Sequence, residues 1–190
     1  MKKLLTTFLI MFTCMSYAQP SFLVYNSSQD KEIYAQNIHQ VRPLASITKL
    51  MTAMVALDND KDLSKQHMLT GRVGGTLPRQ RYTRYQLLNA MLVRSDNAAA
   101  ETLAENYPGG RKAFILAMNE MAVMFGLQHT KFEDPTGLSY NNTSTASDVA
   151  LLVEAAAGHW VIREISVKRH LEFQTQTKQK KHIIRLQNTN

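Results

Sequence analysis

An eight-residue, mostly apolar run, Leu50-Met51-Thr52-Ala53-Met54-Val55-Ala56-Leu57, constrains the fold of this chain more than any other stretch. Pro43 stands just ahead of it and Asp58-Asn59-Asp60 just behind. These boundaries predict a helix over residues 45–57. The head of that helix holds Ser46-Ile47-Thr48-Lys49. Residues three apart on a helix are neighbours on one face, so Ser46 and Lys49 meet. A serine hydroxyl is a weak nucleophile at neutral pH and needs a base within hydrogen-bond reach. A lysine becomes that base when burial or nearby positive charge lowers its pKa. The spacing can therefore build an activated serine without a histidine.

The pattern alone is cheap. In a chain with 11 Ser and 12 Lys, chance supplies about 0.7 such pairs. Ser28-Gln29-Asp30-Lys31 is a second match, in a polar turn where a lysine is simply solvated. Ser46 instead opens an apolar helix, where its lysine can be desolvated. Serine also favours helix N-termini for plain structural reasons.

The chain begins Met1-Lys2-Lys3, continues through a mostly apolar stretch over residues 4–12, and reaches Ser16-Tyr17-Ala18. That is the pattern of a secretory signal peptide, residues 1–18. The apolar run falls short of the ~20 residues that span a bilayer, so no transmembrane anchor is expected in the mature chain. Residues 19–190 are then enough for one domain with a real core. The one cysteine, Cys14, lies in the leader, and Thr13 before it does not suit a lipoprotein cleavage site. The mature chain has no disulfide, no thiol nucleophile and no cysteine metal site, so packing must stabilise it.

The formal charge of +7 misleads. Residues 19–165 hold 14 basic and 14 acidic side chains. The excess falls in residues 166–190, where Lys168, Arg169, Lys178, Lys180, Lys181 and Arg185 face Glu172 alone. Such a tail is read as a solvated face or turn, and nucleic acid is not an expected partner.

Residues 21–24 and 32–36 read as short strands around the turn Asn26-Ser27-Ser28-Gln29-Asp30. Residues 58–75 read as loop with strand pieces. Helices are predicted over 84–92, 98–106, 111–125 and 147–157, with one more turn at 161–165. Gly126 and Gly158 stand where glycine ends helices. The methionines of the third of these helices read as core filler. Residues 171–174 and 182–186 alternate like strands joined by 177–181. The result is an α+β domain: a helical block against an antiparallel sheet shared by the terminal strands.

The six histidines lack the His-x-x-x-His spacing of a zinc hydrolase, and no metal or cofactor site is expected. No Gly-x-Ser-x-Gly elbow and no glycine-rich phosphate loop occurs. What remains is Ser46/Lys49 and Ser95-Asp96-Asn97, at a break between two helices where a hydroxyl and an amide can face a cleft. Ser139-Tyr140-Asn141 repeats the Ser-x-Asn pattern, and Ser95 and Asn97 can equally cap the helix that follows.

Ser-x-x-Lys on a helix, followed some fifty residues on by Ser-x-Asn, resembles the penicillin-binding proteins and serine β-lactamases. Tyr107-Pro108-Gly109-Gly110, Asp134-Pro135-Thr136-Gly137-Leu138, Ser144-Thr145-Ala146 and Asn188-Thr189-Asn190 are similar to the low-molecular-mass DD-peptidases. The Tyr-Pro-Gly-Gly stretch resembles the D-alanyl-D-alanine endopeptidase branch. The resemblance implies a DD-peptidase/β-lactamase-like (transpeptidase-like) fold and a serine peptidase of peptidoglycan crosslinks in the periplasm, trapped by β-lactams. It implies Ser46 as nucleophile, Lys49 as base, Ser95 as proton carrier to the leaving amine and Asn97 as the substrate-positioning amide.

The family's third motif, Lys-Thr/Ser-Gly, is absent from the sequence. In relatives it follows the Asn-Thr-Asn segment, so the resemblance implies a catalytic domain incomplete after Asn190. Weak or no turnover, missing sheet strands and uncovered apolar helix faces are expected. Two other readings stay open. A class A β-lactamase needs a deacylating glutamate, and Glu133 lies near the right distance. A truncated, binding-only homologue would hold peptidoglycan without forming an acyl adduct.

Overall fold

A helix that is apolar on every side has to be enclosed by other elements. The computed structural model, which describes residues 19–71, 74–176 and 181–187, shows this for α1 (Thr48–Asn59). Residues 51–57 are all buried. Helices α2 (Arg84–Arg94), α3 (Asn97–Glu105), α4 (Gly110–Met124) and α5 (Ala146–Gly158) all pack on α1. A seven-residue helix, α6 (Trp160–Ser166), lies against α2 and α5. The predicted helix over 45–57 divides in two. Ala45–Ile47 is one 3-10 turn, because Ala45 holds a left-handed φ of 46° that no α-helix accommodates.

Local chemistry sets most of the boundaries. Thr83 opens α2 through a reciprocal capping box with Gln86. Thr145 accepts from the Asp148 N–H to open α5. Gly126, at φ 72°, turns the chain after α4. Arg84 is buried and donates to the Ala56 and Asp60 carbonyls, so the start of α2 satisfies the end of α1.

The strands form four antiparallel pairs among the described residues. β1 (Phe22–Asn26) pairs with β2 (Lys31–Gln36) across the predicted turn. β3 (Arg42–Pro43) pairs with β6 (Thr143–Ser144), and β4 (Gln66–Met68) with β5 (Arg81–Thr83). β7 (His170–Gln176) pairs with β8 (Lys181–Gln187). The expectation that the terminal strands share one sheet needs correction. β1–β2 lies on α5 and β7–β8 on α2, so each ladder is closed within its own hairpin. Residues 1–18, and with them the leader, fall outside the described residues, as do Asn188-Thr189-Asn190 and Lys178, Lys180. No helix among the described residues is long and apolar enough to cross a membrane.

The core holds Tyr82, Phe114, Phe132, Leu87, Leu88 and Leu152 without measurable exposure or nearly so. Tyr107 packs edge-on against Phe114, with ring centroids 5.3 Å apart. Met118 and Met121 fill the buried side of α4 as expected, whereas Met124 is 70% exposed. Phe114→Ala is expected to cost about 3–5 kcal/mol, the range for emptying a buried aromatic site. Val123→Ala, on the exposed side of the same helix, should stay within about 0.5 kcal/mol. Urea unfolding of both variants measures the contrast; equal losses would contradict the assigned helix face.

Candidate active site

Three chain segments distant in sequence converge on the head of α1. The 3-10 turn places Ser46 at the surface, and the first turn of α1 carries Lys49 inward, where its side chain is buried. The Lys49 Nζ lies 3.3 Å from Ser46 Oγ. It also donates to Asn97 Oδ1 at 2.7 Å and to the Thr136 carbonyl at 2.6 Å. An ammonium has three N–H donors. Once one proton leaves, the two bonds to carbonyl oxygens can hold the amine, and its lone pair is left directed at Ser46.

Burial pushes the Lys49 amine down to about 8, against the opposing pull of the Asp134 and Asp96 carboxylates. At pH 7.5 about a quarter of the amine is then neutral, compared with about 0.1% for a solvated lysine. That difference is what makes the lysine a usable base. The three direct neighbours matter as well: Ser46, Asn97 and Thr136 each present a neutral oxygen. A carboxylate in their place would hold the proton on nitrogen.

Ser95 ends α2 in the left-handed conformation, at φ 56°. This turns its hydroxyl toward Ser46, and Ser95 Oγ donates to Ser46 Oγ at 2.8 Å. Strained backbone of this kind is tolerated where the surroundings enforce it. Asp96, with no role in the sequence reading, supplies the enforcement. One carboxylate oxygen caps α3 by accepting from the Ala99 N–H at 2.8 Å. The other accepts from the Thr76 N–H at 2.6 Å and from its hydroxyl at 3.1 Å. Asp96 is therefore the cap that Ser95 or Asn97 might otherwise have been, and both of those side chains face Ser46 and Lys49 instead. The Asn97 N–H donates to the Gly74 carbonyl, and a side chain at Gly74 would collide with the Asn97 amide.

The third segment is the turn over residues 134–139. The Asp134 carboxylate accepts from the N–H groups of Thr136, Gly137 and Ser139 and from the Thr136 hydroxyl. Burial pushes the Asp134 carboxyl up, and these bonds together outweigh it, leaving the pKa below the usual value. Asn142, fully buried, ties the turn to α1 through the Thr48 hydroxyl and the Asp134 carbonyl. Thr52 donates to the Pro135 carbonyl at 2.7 Å. The Thr136 carbonyl was beyond any side-chain motif; the Asp-Pro-Thr-Gly turn signal was the available hint.

The cleft over Ser46 measures about 510 Å³ and is walled by Ile47, Leu50, Met91, Leu92 and Ser166. Among the described residues no carboxylate lines it. Glu133 pairs with Lys131 at 2.7 Å and accepts from Asn141, so the deacylating role considered for it has no support in the geometry. The competing matches are also placed. Ser28 bonds to Asn26 in the exposed β1–β2 turn, and Ser139 accepts from the Asn141 N–H. Among the described residues no group of three or more His, Cys, Asp or Glu can hold a metal.

A serine bonded to a buried lysine and to a second serine, on a helical block, is the arrangement that serine–lysine acyl transfer requires. A family model described as D-alanyl-D-alanine carboxypeptidase matches residues 13–190, and the chain belongs to that family. It is 41% identical over 160 residues to a D-alanyl-D-alanine endopeptidase of Escherichia coli (strain K12), covering 80% of this chain and 52% of the relative. A Pseudomonas aeruginosa protein of the same name is 42% identical over 147 residues, covering 73% of this chain and 47% of that one. The chain thus spans about half the length of these curated relatives. Among solved structures, the Streptomyces K15 DD-transpeptidase matches with a TM-score of 0.81 at 25% identity, over 88% of this chain and 72% of that one. Penicillin-binding protein D2 of Listeria monocytogenes, in an ampicillin-bound form, matches with a TM-score of 0.75 at 27% identity, over 90% and 71%. The DD-peptidase-like α+β architecture expected from the sequence is the fold observed.

Gly137, at φ 87°, passes directly under Ala45, and a Cβ there would overlap the Ala45 carbonyl. Gly126 has a similar φ of 72° but open space around it. Gly126→Ala is expected to cost about 1 kcal/mol, from backbone conformation alone. Gly137→Ala should cost at least about twice that and shift the turn that carries Ser46. Thermal unfolding of the two variants makes the comparison, and equal losses would sink the close approach.

Proposed function

We propose that this chain carries the nucleophile and base of a serine-type D-alanyl-D-alanine peptidase. Its substrate is the D-alanyl link between crosslinked peptidoglycan stem peptides. One observation carries the reading: Lys49 Nζ is 3.3 Å from Ser46 Oγ, and burial brings its pKa down to about 8. Ser46 Oγ attacks the D-alanyl carbonyl carbon as its proton passes to Lys49. The Ser46 N–H donates to the oxyanion. Collapse of the tetrahedral intermediate expels the amine, which takes a proton through Ser95, and leaves an acyl ester on Ser46. Asn97 orients the substrate amide and holds Lys49. Water then attacks the ester and releases the acid. The scheme uses no metal or cofactor.

Endopeptidase rather than carboxypeptidase action is favoured by the names of the E. coli and P. aeruginosa relatives and by Tyr107-Pro108-Gly109-Gly110. The leader pattern of residues 1–18 supports export to the periplasm. β-Lactams, which present a strained amide to the same serine, are proposed as covalent inhibitors. The sequence contains no Lys-Thr-Gly or Lys-Ser-Gly, from which the family resemblance draws the second oxyanion donor. The 190 residues taken alone are therefore expected to acylate about 10²–10³ more slowly than relatives that have it.

The test is mass spectrometry after incubation with a penicillin. We expect one adduct, on Ser46, lost in Ser46→Ala and slowed about 10²–10⁴-fold in Lys49→Ala. The neutral amine is the active form, so the acylation rate should rise with pH and level off above about 8, where Lys49 has lost its proton. An adduct on another serine, or a flat profile between roughly pH 6 and 9, would overturn the assignment.

A further inference from the structure

Lys49 is held by two carbonyl oxygens of different origin. The Asn97 oxygen belongs to a side chain named by its motif, whereas the Thr136 oxygen belongs to the backbone of a turn. A backbone carbonyl can be aimed only by whatever shapes its turn. Four donors meet the Asp134 carboxylate: the Thr136 N–H at 2.6 Å, its hydroxyl at 2.8 Å, the Gly137 N–H at 2.7 Å and the Ser139 N–H at 2.5 Å. The Thr136 hydroxyl adds one longer bond within the turn, accepting from the Leu138 N–H at 3.1 Å.

We propose that Asp134 is a positioning residue for acylation: its carboxylate folds the 134–139 turn so that the Thr136 carbonyl holds one N–H of Lys49 and the amine points at Ser46. The same bonds lay Gly137 beneath Ala45, so one carboxylate places both the base and the turn that carries the nucleophile. Asp134 also acts through its charge. Two carboxylates face Lys49, Asp134 from this turn and Asp96 from the α2–α3 junction, and both favour the ammonium. The remaining groups against the amine are the neutral oxygens of Ser46, Asn97 and Thr136. The Asp134 carboxylate bonds the turn's own N–H groups while the Thr136 carbonyl meets the amine, which holds the geometry without capturing the proton. This rests on the peptidase reading only for the rate; the effect on Lys49 itself does not.

Asp134→Asn keeps an oxygen for Thr136 and Gly137 but removes the charge and sets an N–H₂ against the Ser139 N–H. Removing a negative charge disfavours the ammonium, so the Lys49 pKa should fall. Two measurements read it: the Lys49 Cε resonance titrated by carbon-13 NMR, assigned with Lys49→Arg, and the pH profile of penicillin acylation. We expect both midpoints to move down by about half a unit or more, with the plateau rate about ten- to hundredfold lower as the amine loses its aim. Glu133→Gln removes a neighbouring charge paired with Lys131 and should leave both midpoints in place. A midpoint that stays or rises in Asp134→Asn, or falls equally in Glu133→Gln, overturns the proposal. Should Asp134→Asn show no cooperative melting, Thr136→Val decides. It removes one bond to Asp134 and keeps the charge, so a slower plateau at an unmoved midpoint is expected, and a wild-type plateau overturns the proposal. A wild-type chain that forms no Ser46 adduct sinks the peptidase reading, while the NMR titration still judges Asp134.

Discussion

A lysine amine taken out of water at the head of α1 is the interaction on which the rest of this structure depends. Desolvation makes the ammonium costly, and it is the dominant cause of the lowered Lys49 pKa. Desolvation alone would leave an amine without partners, which is destabilising in its own right. The site answers with three oxygen partners, none of them charged at the point of contact. The two nearby carboxylates, Asp134 and Asp96, moderate the shift. The balance yields a neutral amine that is populated near neutral pH beside a serine hydroxyl that still opens to solvent.

That balance sets the demands on the scaffold. Lys49 can be desolvated only if α1 is enclosed on all sides, and four helices enclose it. The partners come from 48 and 87 residues further along the chain, so closing those loops is part of making the base. Each closure has its own fastening. At the α2–α3 junction Asp96 binds the helix start and Thr76 together, which leaves Ser95 and Asn97 for the cleft. At the 134–139 turn Asp134 gathers the backbone N–H groups, and Asn142 and Thr52 tie the turn to α1. In both places a buried carboxylate satisfies backbone donors and leaves the neutral groups to meet the lysine.

Much of this is legible in the chain as written, and the parts that are share a cause. Helix positions follow from apolar spacing and capping chemistry, which act within a few residues; Thr83, Thr145 and Gly126 are examples. The Ser46–Lys49 proximity follows from helical pitch. Their environment does not, since Ser28 and Lys31 have the same spacing and lie in an exposed hairpin. Asp96 and Asp134 were visible as residues but not as fastenings, because what they hold is backbone N–H, which every residue carries. The hairpins were legible, but their grouping into sheets was not: strand alternation says which face is buried and nothing about the neighbouring strand.

The sequence by itself determined the helices, the Ser46–Lys49 spacing on one helical face, and the family to which the chain belongs. Those are matters of local pitch, capping and motif, and no long-range contact is needed to read them. Only the tertiary structure decided that Ser46, rather than Ser28, has a neutralisable base, and that a backbone oxygen at Thr136 helps to hold it. The reason is physical: a pKa is set by solvent exclusion and by the charges around the group, and both are properties of space rather than of order along the chain.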